Sequence, residues 1–137
     1  MKRNIDLCLE DIDSNDHEYK KVSVYNIDKI INSSCDIIKI DVLEYLNPPD
    51  CLNIITKSLQ KLKPNGYLVV SFANFKKLCY EYSSGKLDNI KMIETIKNKQ
   101  NIISVQYLQN IIQQQQYSIV NLVEDDLILE ASITRRV

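Results

Sequence analysis

The chain has 137 residues, 45% of them hydrophobic and 26% charged, with a formal net charge of −1. That is the size and balance of one globular domain with a single core. It excludes the basic footprint of a nucleic-acid binder, and no apolar run approaches the ~20 residues of a membrane span.

"MKRNIDLCLEDID" lacks the apolar core and cleavage site of a signal peptide, so a cytoplasmic protein is expected, with no nucleic-acid or membrane partner. The four cysteines, Cys8, Cys35, Cys51 and Cys79, form no CxxC pair, and His17 is the one histidine. No zinc site or Cys-His or Ser-His constellation is expected. The cysteines read as small apolar fillers, and His17 in "DSNDHEYKK" as a solvated loop residue.

In chain order, Ile5, Leu7 and Leu9 alternate in "RNIDLCL", and Val22 and Val24 in "YKKVSVYNI", which predicts strands over 3–9 and 19–27. "CDIIKID" (35–41) and "GYLVVSF" (66–72) are nearly continuous apolar runs, as in central strands covered on both faces. Between them, Asn47 stands as a helix cap before Pro48 and Pro49. Leu52, Ile55, Leu59 and Leu62 then recur at helical spacing while Lys57, Gln60 and Lys61 face away, predicting a helix over 48–62. Strand, helix and strand make a βαβ unit with a parallel pair. Gly66, after Lys63-Pro64-Asn65, is expected at positive φ, closing that helix.

Residues 76–100 are polar with scattered apolar positions and read as a short helix, a turn at Ser84-Gly85 and then a mobile or helical excursion. Ser104 caps a helix whose stripe is Val105, Leu108, Ile111 and Ile112, and "YSIVNLVEDDLILEASITRR" reads as a hairpin turning at Glu124-Asp125-Asp126. No repeat or linker interrupts the chain. Paired acids such as Glu10-Asp11 and Glu124 with Glu130 read as ordinary solvated charges.

The stretch "CDIIKIDVLEYLNPPDCLNIITKSLQKLKPNGYLVVSFANF" resembles the second half of class I S-adenosylmethionine-dependent methyltransferases. Asp36 matches the family's strand acid, Leu43-Glu44-Tyr45-Leu46 its Leu-Glu-His-Leu signature, Leu62-Lys63-Pro64-Asn65-Gly66 its Leu-Lys-Pro-Gly-Gly turn, and Ala73-Asn74 the end of the next strand. The resemblance implies a Rossmann-like α/β sheet, mostly parallel with an antiparallel C-terminal hairpin. "NIDLCLEDID" is similar to the family's second strand, which makes Asp6 or Glu10 the ribose acid.

The family's first strand and Gly-x-Gly loop have no counterpart, for the only glycines are Gly66 and Gly85. Residues 1–137 thus read as one truncated methyltransferase-like domain, in which the strand over 4–9 closes up directly beside 35–41 or leaves a gap. Asn47-Pro48-Pro49-Asp50 resembles the motif of amino-group methyltransferases, but it coincides with a helix start and reads as capping.

The implied function is a binding or assembly scaffold without methyl transfer of its own and with no cofactor expected. The alternative is an S-adenosylmethionine-dependent methyltransferase completed by a partner chain or a further N-terminal segment. An unrelated small α/β enzyme or nucleotide binder fits less well, since no phosphate loop or nucleophile constellation is present. Asp6, Glu10, Asp28, Asp41 and Asn74 are the candidate cleft residues, placed at or near strand C-terminal ends. Apolar sheet surface left by the missing layer predicts a homodimer or pairing with a related methyltransferase subunit. In the alternative, Leu78, Ile90, Ile93 and Ile96 fold back over that surface.

Overall fold

A computed structural model describes residues 2–9 and 18–136. The elements are β1 (Asn4–Cys8), β2 (Lys20–Ser23), a 3-10 helix (Val24–Lys29), β3 (Cys35–Ile40), a second 3-10 helix (Leu43–Tyr45), α1 (Pro48–Lys61), β4 (Leu62–Ala73), α2 (Phe75–Ser83), α3 (Asn89–Ile96), α4 (Val105–Gln114), β5 (Tyr117–Asp125) and β6 (Ile128–Arg135). They build one sheet in the order β2-β1-β3-β4-β6-β5. The first four strands are parallel, and β6 runs antiparallel to both β4 and β5.

β1 pairs directly with β3, Asn4 opposite Ile37 and Leu7 opposite Ile40, so this is the closed-up arrangement. Ile5 and Leu7, Ile38 and Ile40, Leu68, Val70 and Phe72, and Ala131 and Ile133 all bury toward one face. There they form one core with Val24, Ile27, Ile54, Ile55, Leu59, Leu108 and Ile112 of the helices. The opposite face carries Asp6, Ile37, Lys39, Tyr67, Val69, Ser71, Ser132 and Thr134, all half-buried or exposed. β3 and β4 are therefore central in order but not buried on both faces. The alternation of β4 was masked by Tyr67 and Val69, apolar residues on the open side.

Several local expectations change. The strand expected over 19–27 stops at Ser23, whose hydroxyl accepts the Tyr25 N–H at 3.3 Å and turns the chain into a 3-10 helix. Val24, Ile27 and Ile30 are then buried at that helix's spacing of three.

α1 starts as expected, Asn47 accepting the Asp50 N–H at 2.9 Å. Its inner stripe, however, is Cys51, Ile54, Ile55, Ser58 and Leu59; Leu52 is exposed, and Lys61 is buried with its ammonium on Asn32 Oδ1 at 2.8 Å. The stripe turns because Leu62 belongs to β4. Gly66 is not at positive φ. Its need is close approach, since a Cβ there would stand 2.9 Å from the Cys35 carbonyl oxygen. Gly85, by contrast, has φ +83° in the turn after α2.

The fold-back of 76–101 does not form as expected. Leu78 is buried, but α3 buries no residue at all, with Ile90 and Ile93 exposed by 69% and 61%. Cys35 and Cys51 are buried fillers, while Cys79 is exposed on α2. Among the described residues, no helix is long and apolar enough to cross a membrane, and no group of three or more His, Cys, Asp or Glu could hold a metal ion.

Candidate functional site

β3 ends opposite Val70 while β4 runs on to Ala73, and the chain beyond β3 turns inward. The Tyr45 N–H donates to the Val42 carbonyl at 3.0 Å, Leu43 and Leu46 are buried on either side, and Glu44 is drawn in until it is 7% exposed. A carboxylate so placed requires partners. Its Oε1 accepts the N–H of Ala73, the last residue of β4, at 3.0 Å, and its Oε2 takes the Lys99 ammonium at 3.3 Å. The Glu44 carbonyl accepts the N–H groups of Gln100 and Asn101 at 2.8 and 3.1 Å, and Gln100 Nε2 donates to the Tyr45 carbonyl at 3.1 Å. One residue therefore ties the exit of β3, the end of β4 and the loop after α3.

Two hollows share the Glu44–Lys99 wall. One of about 540 Å³ is lined by Phe75, Leu78, Ile96 and Ile102 besides the pair itself. The other, about 350 Å³, lies over the strand ends among Asp41, Tyr45, Ser71, Phe72, Thr95 and Leu127. The larger is within the size range of small-molecule sites, with apolar walls and a few convergent polar groups. Both Glu44 oxygens are engaged, whereas the ammonium of Lys99 has donors to spare. The arrangement suits a ligand with an apolar body and a hydrogen-bond acceptor.

Of the residues singled out from the sequence, two are brought to this end of the sheet. Asp41 is exposed at the rim of the smaller hollow. Asn74 follows Ala73 and caps α2, its Oδ1 accepting the Lys77 N–H at 3.2 Å and its Nδ2 donating to Glu124 Oε1 at 2.8 Å. Asp6 lies in the middle of β1, opposite Lys21 and Lys39 on the open face. Asp28 lies in the first 3-10 helix, against the Lys57 ammonium at 2.8 Å, and that hydrogen bond holds its carboxyl below the usual carboxylate range. Glu10 and His17 fall outside the described residues.

Glu44 entered the sequence reading only as a signature residue. The available signal was an acid with leucines on both sides, at Leu43 and Leu46; for Lys99 there was none. At the entry of the βαβ unit, Asp36 accepts the Arg3 N–H at 2.6 Å and the Lys63 ammonium at 3.2 Å, and both hold its carboxyl low. Burial pushes the Cys51 thiol up; it also pushes the Tyr107 hydroxyl up, with Cys51 beside it adding to the effect.

The described residues do not assemble a glycine loop and a ribose acid in one place. Gly66 is packed between β3 and β4, and Gly85 lies in the turn after α2, so neither follows β1 in the chain.

No family model matches the chain, and no curated protein matches it. Solved structures do. The PH0226 protein of Pyrococcus horikoshii OT3 superposes over 98% of this chain and 82% of its own, with a TM-score of 0.68 at 9% identity. An O-methyltransferase family protein of Burkholderia thailandensis matches over 86% of this chain with a TM-score of 0.61 at 10% identity. An O-methyltransferase of neocarzinostatin biosynthesis, solved with S-adenosylmethionine and 2-hydroxy-5-methyl naphthoic acid, matches over 85% with a TM-score of 0.58 at 11% identity. This chain spans only 35% and 33% of the length of those two methyltransferases. The sheet, mostly parallel with its antiparallel C-terminal strands, thus has the Rossmann-like fold of class I S-adenosylmethionine-dependent methyltransferases.

Proposed function

We propose that this chain is a methyltransferase-fold scaffold that works as a binding or assembly module, without methyl transfer of its own and without a bound cofactor. The observation that carries this reading is the direct pairing of β1 with β3. In the family the strand bearing the Gly-x-Gly loop would stand between them, and here the backbone groups it would use are already paired. Fold alone carries no activity. In this reading Asp41, Asn74 and Glu44 border the binding cleft, and the module associates with a second copy or a related methyltransferase subunit.

Titration calorimetry of the chain with S-adenosylmethionine and S-adenosylhomocysteine tests it. No binding is expected, and micromolar binding of either would overturn it. Asp41→Ala should change cleft binding with little loss of stability.

A second reading is a methyltransferase completed by another polypeptide segment. It is favoured by the small share of the two longer methyltransferases that the chain spans, 35% and 33%. Under it, the same titration gives binding only once that segment is present, and an in-frame glycine-rich coding stretch upstream of Met1 would support it.

A further inference from the structure

β5 closes one side of the sheet, with no strand beyond it among the described residues. Its first residues, Tyr117 to Ile119, are half-buried beside α4, but every residue from Val120 to Asp125 is exposed. Val120, Leu122 and Val123 keep 55%, 44% and 46% of their surface in solvent. An edge strand with unpaired backbone groups and exposed β-branched side chains is a template for another strand.

Charge decides which strand fits. Glu124, Asp125 and Asp126 crowd the distal end of the hairpin, while Arg135 lies opposite Tyr117 at the other end and the Arg136 N–H donates to the Gln116 carbonyl at 2.9 Å. Asp125, Arg135 and Arg136 make no ion pair among the described residues. Such an edge, acidic at one end and basic at the other, is complementary to itself turned end for end.

We propose that two copies join antiparallel along β5 about a two-fold axis between Val120 and Asn121, a contact that rests on the self-association proposed above and assigns its surface. A bulge between Ile119 and Asn121 suits this axis. It shifts the in-out alternation by one residue, so Tyr117, Ser118 and Ile119 have matching faces against Glu124, Val123 and Leu122 of the second copy, the register that also brings the acidic end nearest the basic one. Ile119 then packs on Leu122 twice over. Glu124, on exchanging its hydrogen bond from Asn74 Nδ2 for this contact, stands opposite Tyr117 on the face that also carries Arg135, roughly 10 Å away across two strand spacings, within the joint reach of the two side chains. Asp125 comes opposite Gln116, beside Arg136. A parallel pairing would set acid against acid.

Sedimentation over a hundredfold concentration range, with two double variants, tests this. Glu124→Lys with Asp125→Lys, and Arg135→Glu with Arg136→Glu, should each weaken the dimer by about tenfold at low salt through like-charge contacts. Mixed in equal amounts they should associate again, because every charged contact between unlike variants is then complementary. Circular dichroism checks that each variant is folded. A wild-type dimer that both variants keep unchanged, or a mixture that fails to recover, would overturn the β5 contact while leaving self-association standing. A wild-type chain of monomer mass throughout would overturn both.

Discussion

Glu44 cannot be removed without leaving two groups behind, the Ala73 N–H and the Lys99 ammonium, both in a largely buried setting. Glu44→Ala is therefore expected to cost about 3 kcal/mol in urea denaturation, the range for breaking a buried ion pair. Glu44→Gln, which keeps an acceptor for Ala73, should cost less. Gly66→Ala should cost about 2 kcal/mol, because a Cβ within 3 Å of the Cys35 and Asp36 carbonyls overpacks a strand pair that cannot separate. Asp36 carries a pH signature. Its folded carboxyl is held low, first by the Arg3 N–H and then by Lys63, so its contribution is present above the ordinary carboxylate range and lost as pH falls toward the lowered value. Asp36→Asn should flatten the acid limb of a stability–pH curve and leave its alkaline limb unchanged. Asp36 was marked only by the resemblance, as the family's strand acid, and its ties to Arg3 and Lys63 come from the fold. Lys99 was not legible, because only the tertiary fold sets it against a residue 55 positions away.

At the level of elements, local rules carried the reading where one residue controls one hydrogen bond. Asn47 capping α1 and Ser104 capping α4 were visible because each is a short polar acceptor just before an apolar period. Asn47→Ala should lower stability by about 1 kcal/mol, measured by thermal melting. The 3-10 helix after β2 was missed because Val22 and Val24 imitate strand alternation until the Ser23 cap is seen. α3 could not be placed because its isoleucines point away from the core, and a pattern with no buried partner specifies no packing. Ile93→Ser should accordingly shift the unfolding midpoint hardly at all, within about 0.5 kcal/mol of the wild type.

For the whole molecule, resemblance left two pairing orders open, a gap or direct β1–β3 pairing, and periodicity could not choose, since nothing in the apolar pattern of β1 distinguishes one parallel neighbour from another. The expected bare apolar face is in fact mixed. Asp6 stands between Lys21 and Lys39 in register, the Lys39 ammonium lies 4.4 Å from the Tyr19 ring centre, and Ser132 and Thr134 continue the row. Charge and hydroxyl groups let that face meet water beside its apolar Tyr67 and Val69. A last consequence comes from α3. A helix of eight residues that buries none of them has little to hold it closed beyond its own backbone bonds, the Asp88 cap and the Tyr82 hydroxyl on Asn89. It should open locally, and its amides should exchange with deuterium long before those of β3 and β4, which are released only by global unfolding. The wall that α3 gives the larger hollow through Ile96 would then come and go on its own clock, admitting a ligand while the sheet beneath stays intact.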